Sequence, residues 1–431
     1  MTRQETAYYA LDALKKAGAD KAACRMSTGR KDEFNVEANK FSLLRTLFNN
    51  YLSIKAIKGG RKGVIAINKL DKDSVDEAVA NCIALTASAM PDDAEDIAEK
   101  DANKSFDQTC GLDMDKLFSR SKEFIDQLAG EFPKIVLESM ISDFNSTETT
   151  YVNSNGVEFN SSSECYDIGT MYSAKDGGKS SSFNSYFVRT ASLETPFMEL
   201  GMQRQLLDES SRSLDPRMVD GKFTGKVLLT PACGDMIWDS LFTNFLSDGP
   251  LIKGTSRWKD ALGTKVADSK LTFRVSPLNP MVVAGERFTT DGFESRDMDI
   301  IRDGVLKNFA LTLYGSRKSG KPRALNSAFE NIEVAAGDKP LHEIIKGIDR
   351  GILMNRFSGG SSGASGEISG VAKNSFLIEN GKVTDALKET MVSFDITKVL
   401  MNITAISSER RQNGVTLLPW CCFDGVTISG K

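Results

Sequence analysis

The chain has 431 residues, with 54 Lys and Arg set against 58 Asp and Glu for a net charge of −4. Apolar residues make up 40% and charged residues 26%, the balance of a globular protein long enough to bury its own core in two or three domains. These figures exclude a disordered, collagenous or disulfide-scaffold protein, and they argue against a general nucleic-acid binder, which carries a basic excess or a basic stripe.

The first element predicted is an amphipathic helix, with Ala7, Ala10, Leu11, Leu14 and Ala17 at helical spacing and Gly18 as its stop. Strands follow, marked by the alternation of Phe34, Val36 and Ala38 and then of Leu52, Ile54 and Ala56. Lys58-Gly59-Gly60-Arg61 turns the chain back into 64–67 as a hairpin. Asp73 opens a helix that buries Val75, Ala78, Val79, Cys82 and Leu85 and ends at Pro91. The charged run 92–104 reads as a solvated loop, and 114–130 as a helix with Leu117, Phe118, Phe124, Ile125 and Leu128 inward. Short strands are then predicted at 135–141, 149–152 and 157–159, the last two bracketing the turn Asn155-Gly156. Two more strands, 165–173 and 183–191, flank Asp176-Gly177-Gly178, and a linker helix covers 195–207. Pro216 and Gly221 mark a domain boundary, giving 1–215 and 216–431. The second part opens with a strand at 226–230, Pro231 and a helix at 235–246, and continues with short strands, glycine and a helix at 341–353. The fold class is α+β in two domains, the N-terminal one in mixed α/β layers and the C-terminal one rich in antiparallel strands.

Scarcity limits the chemistry. His342 is the only histidine, so no two-histidine metal site forms within one subunit, and its place at a helix start reads as surface or capping. The seven cysteines include no C-x-x-C pair and read as reduced intracellular thiols, Cys421 and Cys422 as small buried hydrophobes. Residues 1–16 carry charges and no apolar core of a signal peptide, and no apolar run reaches membrane-spanning length. A cytoplasmic location is expected. Gly315-Ser-Arg-Lys-Ser-Gly320-Lys321, after an apolar strand at 311–314, nearly spells a phosphate-binding loop, but Pro322 stands where the magnesium-binding hydroxyl belongs. A basic surface turn is the better reading. The densest glycine run, Ser358, Gly359, Gly360, Ser361, Gly363 and Gly366, leads into a strand rather than a helix. That argues against a phosphate cradle and leaves a mobile loop, or a loop that contacts substrate or partner.

Several segments in order carry a family resemblance: Asp32-Glu-Phe-Asn-Val-Glu, Ser53-Ile-Lys, Val152-Asn-Ser-Asn-Gly156, Asp291-Gly-Phe-Glu, Asp303-Gly-Val-Leu-Lys-Asn-Phe, Phe376-Leu-Ile-Glu-Asn-Gly-Lys-Val and the ending 419–430. The chain resembles the TldD/PmbA family, also called modulators of DNA gyrase, and within it the PmbA (TldE) branch. The resemblance implies a peptidase system whose TldD-like member carries H-E-x-x-x-H on a helix after a strand, with a later cysteine completing a zinc site. Two imidazoles hold the metal and the glutamate activates water. At the matching positions this chain has Trp238, Asp239 and Thr243, and Arg410-Arg-Gln-Asn-Gly414 stands in place of the cysteine segment. The resemblance therefore implies no catalytic residue and no metal here, with zinc in a TldD-like partner. The implied role is a PmbA/TldE-like subunit of a metallopeptidase that processes or degrades unstructured peptides, homodimeric when alone, with neither nucleic acid nor membrane as partner. The alternative is a stand-alone homodimeric peptide-binding or scaffold protein without catalysis. A third reading keeps the chain as an enzyme through Asp239 or a cysteine.

Overall fold

The computed structural model of the chain describes residues 1–99, 103–327, 329–360 and 362–430. Six strands make the frame of the first sheet: β1 (Lys21–Glu37), β2 (Lys40–Lys58), β3 (Arg61–Ile67), β4 (Lys104–Gln108), β5 (Ile135–Asn153) and β6 (Glu158–Asp176). Their order is β3-β2-β1-β5-β6-β4, and β7 (Lys179–Ser180) and β8 (Asn184–Thr190) also pair with β6. The β2–β3 and β5–β6 turns use the glycines predicted for them, with φ of +56° and +72° at Gly59 and Gly60 and +87° at Gly156, the left-handed region that L side chains disfavour.

Strands β5 and β6 are each 19 residues long and continuous, where the sequence suggested short pieces. Consecutive polar residues at 145–150 of β5 and 160–164 of β6 break the apolar signal of a strand although the pleat continues. The even-numbered side chains of β1 and β5 face the helices. Ala7, Ala10, Leu11 and Leu14 of α1 (Arg3–Lys16), with Val75, Ala78, Val79 and Cys82 of α2 (Lys72–Ser88), pack on Cys24, Met26, Leu52 and Ile54. Leu117, Phe124 and Leu128 of α3 (Met114–Glu131) belong to a second apolar cluster with Phe34, Met140 and Phe144. That cluster continues through Leu206 and Leu207 of α4 (Gln203–Arg212) to Phe376 and Trp420, so the two halves share one core.

The second half is a strongly antiparallel sheet around the strand Leu417–Ser429, which pairs antiparallel with Lys222–Leu229 through Cys421↔Leu229 and Cys422↔Leu228. Lys222–Leu229 in turn pairs parallel with Arg350–Met354. Helix α5 (Asp235–Leu241) buries Ile237, Trp238 and Leu241 in this half's core.

Four local expectations are corrected. The run 92–104 is no solvated loop over its described part: Ala94, Ile97 and Ala98 are buried, and Asp92, Glu95 and Asp96 are clamped by Lys318 (2.8 Å), Lys55 (3.4 Å) and Lys21 (2.5 Å). The linker helix at 195–207 resolves into the single turn Phe197–Glu199 followed by α4. The helix predicted at 341–353 stops at Lys346, and Arg350–Met354 is a central strand. The strand predicted at 311–314 is absent, because Leu313–Ser319 is a helix capped by Thr312.

Candidate functional site

The odd-numbered face of the first sheet is polar and looks across a cleft at the second half. Cross-strand pairing places Arg25 beside Tyr151 and Ser27 beside Thr149, then Thr149 beside Ser161 and Thr147 beside Ser163. Farther along the same face, Ile141 pairs with Gly169 and Ser139 with Met171, which pair in turn with Phe187 and Ser185 of β8. Between these two regions an ion-pair ladder crosses the sheet. Arg45 binds Glu33 at 2.6 Å, Lys31 binds Glu33 at 3.2 Å and Asp143 at 2.9 Å. Asn145 donates to Asp143 (2.5 Å) and Asp167 (3.2 Å), and Arg189 grips Asp167 through two bonds of 2.8 and 3.0 Å. Burial raises the Asp143 carboxyl above its ordinary range against the opposing pull of Lys31, with Asp167 adding to the rise.

Two backbone approaches hold the second half against this face. Gly292 (φ +90°) lies on the Tyr151 ring, where a Cβ would overlap the ring atoms, and the Tyr151 hydroxyl donates to the Asp291 carbonyl at 3.3 Å. Beside it Phe288 stacks on Phe159, centroids 5.2 Å apart. This is the Asp291-Gly-Phe-Glu segment singled out in the sequence. At the other end the Arg189 N–H donates to the Asn413 carbonyl at 2.7 Å, and Gly414 (φ +81°) leaves no room for a Cβ against the Arg189 carbonyl.

The gap so set contains a cavity of about 780 Å³ lined by Ile141, Phe187, Asp239, Glu330, Arg411 and Asn413 among others, within the ~300–1,000 Å³ typical of ligand sites. The two segments that the resemblance matches to zinc ligands, the α5 helix and 410–414, thus meet at one cavity. Burial, then the charge of Glu330, raises the Asp239 carboxyl. Sequence reasoning missed Glu330, which no spacing relates to Asp239.

Helix α5 runs into a π-helical turn, Phe242–Leu246, closed by the Ser247 N–H on the Phe242 carbonyl at 3.1 Å. In an α-helix, residues five apart point about 140° away from each other. The i→i+5 bonding of a π turn brings such residues toward one side, as an H-E-x-x-x-H spacing requires. The side chains here do not use it that way. Trp238 is 1% exposed and stacks on Phe273, centroids 4.7 Å and planes 18° apart, while Thr243 is exposed. Zinc takes imidazole, thiolate or carboxylate ligands. Trp238 offers only an N–H donor, its Nε1 makes no hydrogen bond among the described residues, and Asp239 is the one ligand type of the three. No group of three or more His, Cys, Asp or Glu among the described residues is placed to hold a metal ion. The donor set on this helix does not fit zinc.

The glycine-rich run lies elsewhere. Ser358 and Gly359 end the strand Arg356–Gly359, and Gly360, Gly363 and Gly366 belong to the connection to Glu367–Lys373; Ser361 lies outside the described residues. Ser362 accepts from Asn244 at 2.8 Å, and the Ser365 carbonyl accepts from Arg257 at 2.5 Å. The loop is therefore tied to the C-terminal end of the α5–π segment, and none of its described residues lines the Asp239 cavity. His342 is exposed on the helix Leu341–Lys346. The phosphate-loop look-alike has a structural cause: Gly315 gives Asp248 room to accept from Thr312 N at 3.0 Å and from its hydroxyl at 2.5 Å, and Gly320 (φ +67°) ends the helix. No described helix is long and apolar enough to cross a membrane.

Comparison with known proteins bears on this geometry. Residues 222–430 match the PmbA/TldA metallopeptidase C-terminal domain. A metalloprotease PmbA homolog of Haemophilus influenzae is 21% identical over 98% of this chain and 95% of its own length. Metalloprotease PmbA of Escherichia coli O157:H7 is 26% identical over 40% of each chain. The crystal structure of TldE from Thermococcus kodakarensis superposes with a TM-score of 0.86 over 99% of this chain and 100% of that one, at 18% identity, so the fold is shared end to end.

Proposed function

The chain belongs to the TldD/PmbA family, and we propose that within it this chain is a non-catalytic subunit of a peptidase that works on unfolded peptides. One observation carries the reading: the helix position matched to a zinc-binding imidazole is a core tryptophan stacked on Phe273. The metal and its activated water belong to a TldD-like partner, and this chain completes the chamber and holds the peptide.

The cleft suits an extended chain read through its backbone. The Arg189 N–H turns away from β6 toward Asn413. By the alternation of main-chain directions in an antiparallel strand, Phe187 presents its N–H and C=O along the same outer edge, beside the cavity it lines. A peptide laid there gains main-chain hydrogen bonds without a sequence code.

For the partner surface, β2 is the favoured place. β3 pairs with 52–58 of β2, so among the described residues 40–51 leaves one edge of main chain unpaired, and Leu44 and Phe48 on it are 62% and 75% exposed. A long apolar edge is an aggregation hazard unless another chain covers it. The test is to mix the purified chain with a TldD-like protein and measure complex formation, together with cleavage of an unfolded peptide relative to the partner alone. A complex with raised cleavage is expected. No complex and no gain would overturn the reading, and zinc-dependent cleavage by the isolated chain would replace it with an enzymatic one.

A further inference from the structure

A second hollow continues the cleft away from Asp239. It is about 380 Å³ and shares Arg189, Phe329 and Glu330 with the first, so the two are ends of one trough. Its floor is the hydroxyl-bearing part of the sheet face, with Thr147, Thr149, Ser161 and Ser163, and two arginines line it from opposite walls, Arg25 of β1 and Arg287 of the second half.

Neither arginine is paired among the described residues. The Arg25 guanidinium packs 5.5 Å from the Phe288 ring centroid, and its Nη1 is buried without a hydrogen-bond partner among the described residues. The Arg287 side chain makes no ion pair or hydrogen bond among the described residues. Burial acts on both as the largest influence, pushing each guanidinium below its ordinary value. The third arginine of the hollow is already committed, since both Asp167 oxygens hold Arg189. Two carboxylates also line the hollow, Glu286 and Glu330. Glu286 is engaged by neutral donors, the Ser295 hydroxyl at 2.6 Å, the Ser327 N–H at 2.8 Å and the Ser327 hydroxyl. Its charge faces Arg25 without bonding it. Glu330 lies at the Asp239 end, where its charge acts on Asp239 and Arg189.

An unpaired buried guanidinium donor is costly, and arginine is the side chain best matched to a carboxylate. We propose that Arg25 and Arg287 form a carboxylate subsite at the end of the trough remote from Asp239, taking the carboxylate of the extended peptide. The proposal rests on the peptide-holding reading above and adds to it a chemical preference at one end of the peptide. The shared chemistry is a carboxylate at this end, which either a C-terminus or an acidic side chain supplies.

The test is binding of an unstructured, fluorescently labelled peptide without acidic side chains to the full-length chain, by anisotropy at low salt. Three forms are compared: the free C-terminal acid, the C-terminal amide, and the amide carrying one glutamate. Charge-assisted hydrogen bonds of this kind correspond to roughly 10–100-fold in affinity. The free acid is expected to bind at least about tenfold tighter than the amide, and Arg25→Gln or Arg287→Gln to shrink that ratio below about threefold. If the glutamate-bearing amide binds as tightly as the acid, the carboxylate is taken from a side chain as well. If only the acid is favoured, the subsite reads the C-terminus. Arg25→Lys keeps the charge and checks the forked geometry, with a partial loss expected, and Arg287→Gln on the opposite wall keeps the test standing should a β1 variant misfold. Equal binding of all three peptides, unchanged in both glutamine variants, would overturn the subsite and leave the peptide-holding reading intact. No binding of any form, with or without a TldD-like partner, would overturn both.

Discussion

Replacing Trp238 by histidine restores the residue type that a metal-binding helix would carry, and the structure gives a definite expectation for it. Trp238 is 1% exposed and lies 4.7 Å from the Phe273 centroid. Truncating a buried tryptophan costs about 3–5 kcal/mol. Histidine refills part of that volume but keeps only part of the stack, and it buries ring nitrogens that need partners, at ~1–3 kcal/mol. A net loss of about 3 kcal/mol follows, or ~6–12 °C in Tm for a unit of 150–250 residues. Trp238→Phe is the discriminating control. The indole Nε1 makes no hydrogen bond among the described residues, so phenylalanine removes an unsatisfied donor while retaining the ring stack, and the change stays within about 1 kcal/mol. Urea unfolding followed by circular dichroism measures both. Metal analysis of Trp238→His/Thr243→His should find no zinc, because position 238 lies in the core and position 243 on the surface. Wild-type stability in Trp238→His, or stoichiometric zinc in the double variant, would refute the assignment of position 238 to the core.

Other expectations follow from single contacts. Glu209 is 5% exposed and burial lifts its carboxyl to about 7, against the hydrogen bonds from Gln205 and Asn355. A raised folded-state value stabilises the protonated form, so this contribution is complete below about pH 4.5 and is lost as pH rises through about 7. Glu209→Gln should therefore match the wild type near pH 5 and exceed its Tm at pH 8. Gly414→Ala forces a Cβ onto the Arg189 carbonyl at φ +81°. It should cost roughly 2–4 kcal/mol through left-handed strain and loss of the Arg189–Asn413 bond, read as a lower Tm and faster proteolysis between the halves. Leu44→Asp with Phe48→Asp should abolish association with a TldD-like chain in size-exclusion chromatography while shifting Tm by less than about 2 °C, because both side chains are already exposed. Gly315→Ala should lower stability through Asp248, without any nucleotide binding to lose in a titration with ATP and magnesium.

What could be read from the sequence depended on how local the cause was. Gly59-Gly60 and Asn155-Gly156 turn the chain where their composition says, and α1, α2 and α3 follow their apolar spacing except at Leu85 and Phe118, which are 46% and 41% exposed. The β1–β2 hairpin was obscured because its turn is Ala38-Asn39, at φ +48° and +66°, and alanine gives no signal for that conformation. β5 and β6 read as fragments because their middle stretches, 145–150 and 160–164, are polar at every position. In the 92–104 run the charges suggested solvent, whereas their partners Lys21, Lys55 and Lys318 come from other parts of the chain. At the site, the family resemblance points to Asp239 and to 410–414, and Asp239 lines one cavity with Arg411, Gln412 and Asn413. Arg25, Arg287 and Glu330 carry no pattern of their own, since only the folded chain brings a strand of the first sheet and two loops of the second half to the trough. The glycine-rich run attracted attention by composition and lies away from it.

The width of the trough is gauged at two glycines, Gly292 on the Tyr151 ring and Gly414 on the Arg189 carbonyl. Rotamer changes elsewhere on the walls leave such a gauge untouched. Spacing and chemistry are consequently separable in this frame: the residues projecting into the gap can be exchanged one at a time without altering the distance between the walls. A wall can then change its chemistry while a chain threaded through the gap still meets the same dimensions. A duplicated copy of such a frame can lose one chemistry and acquire another before its stability registers the difference.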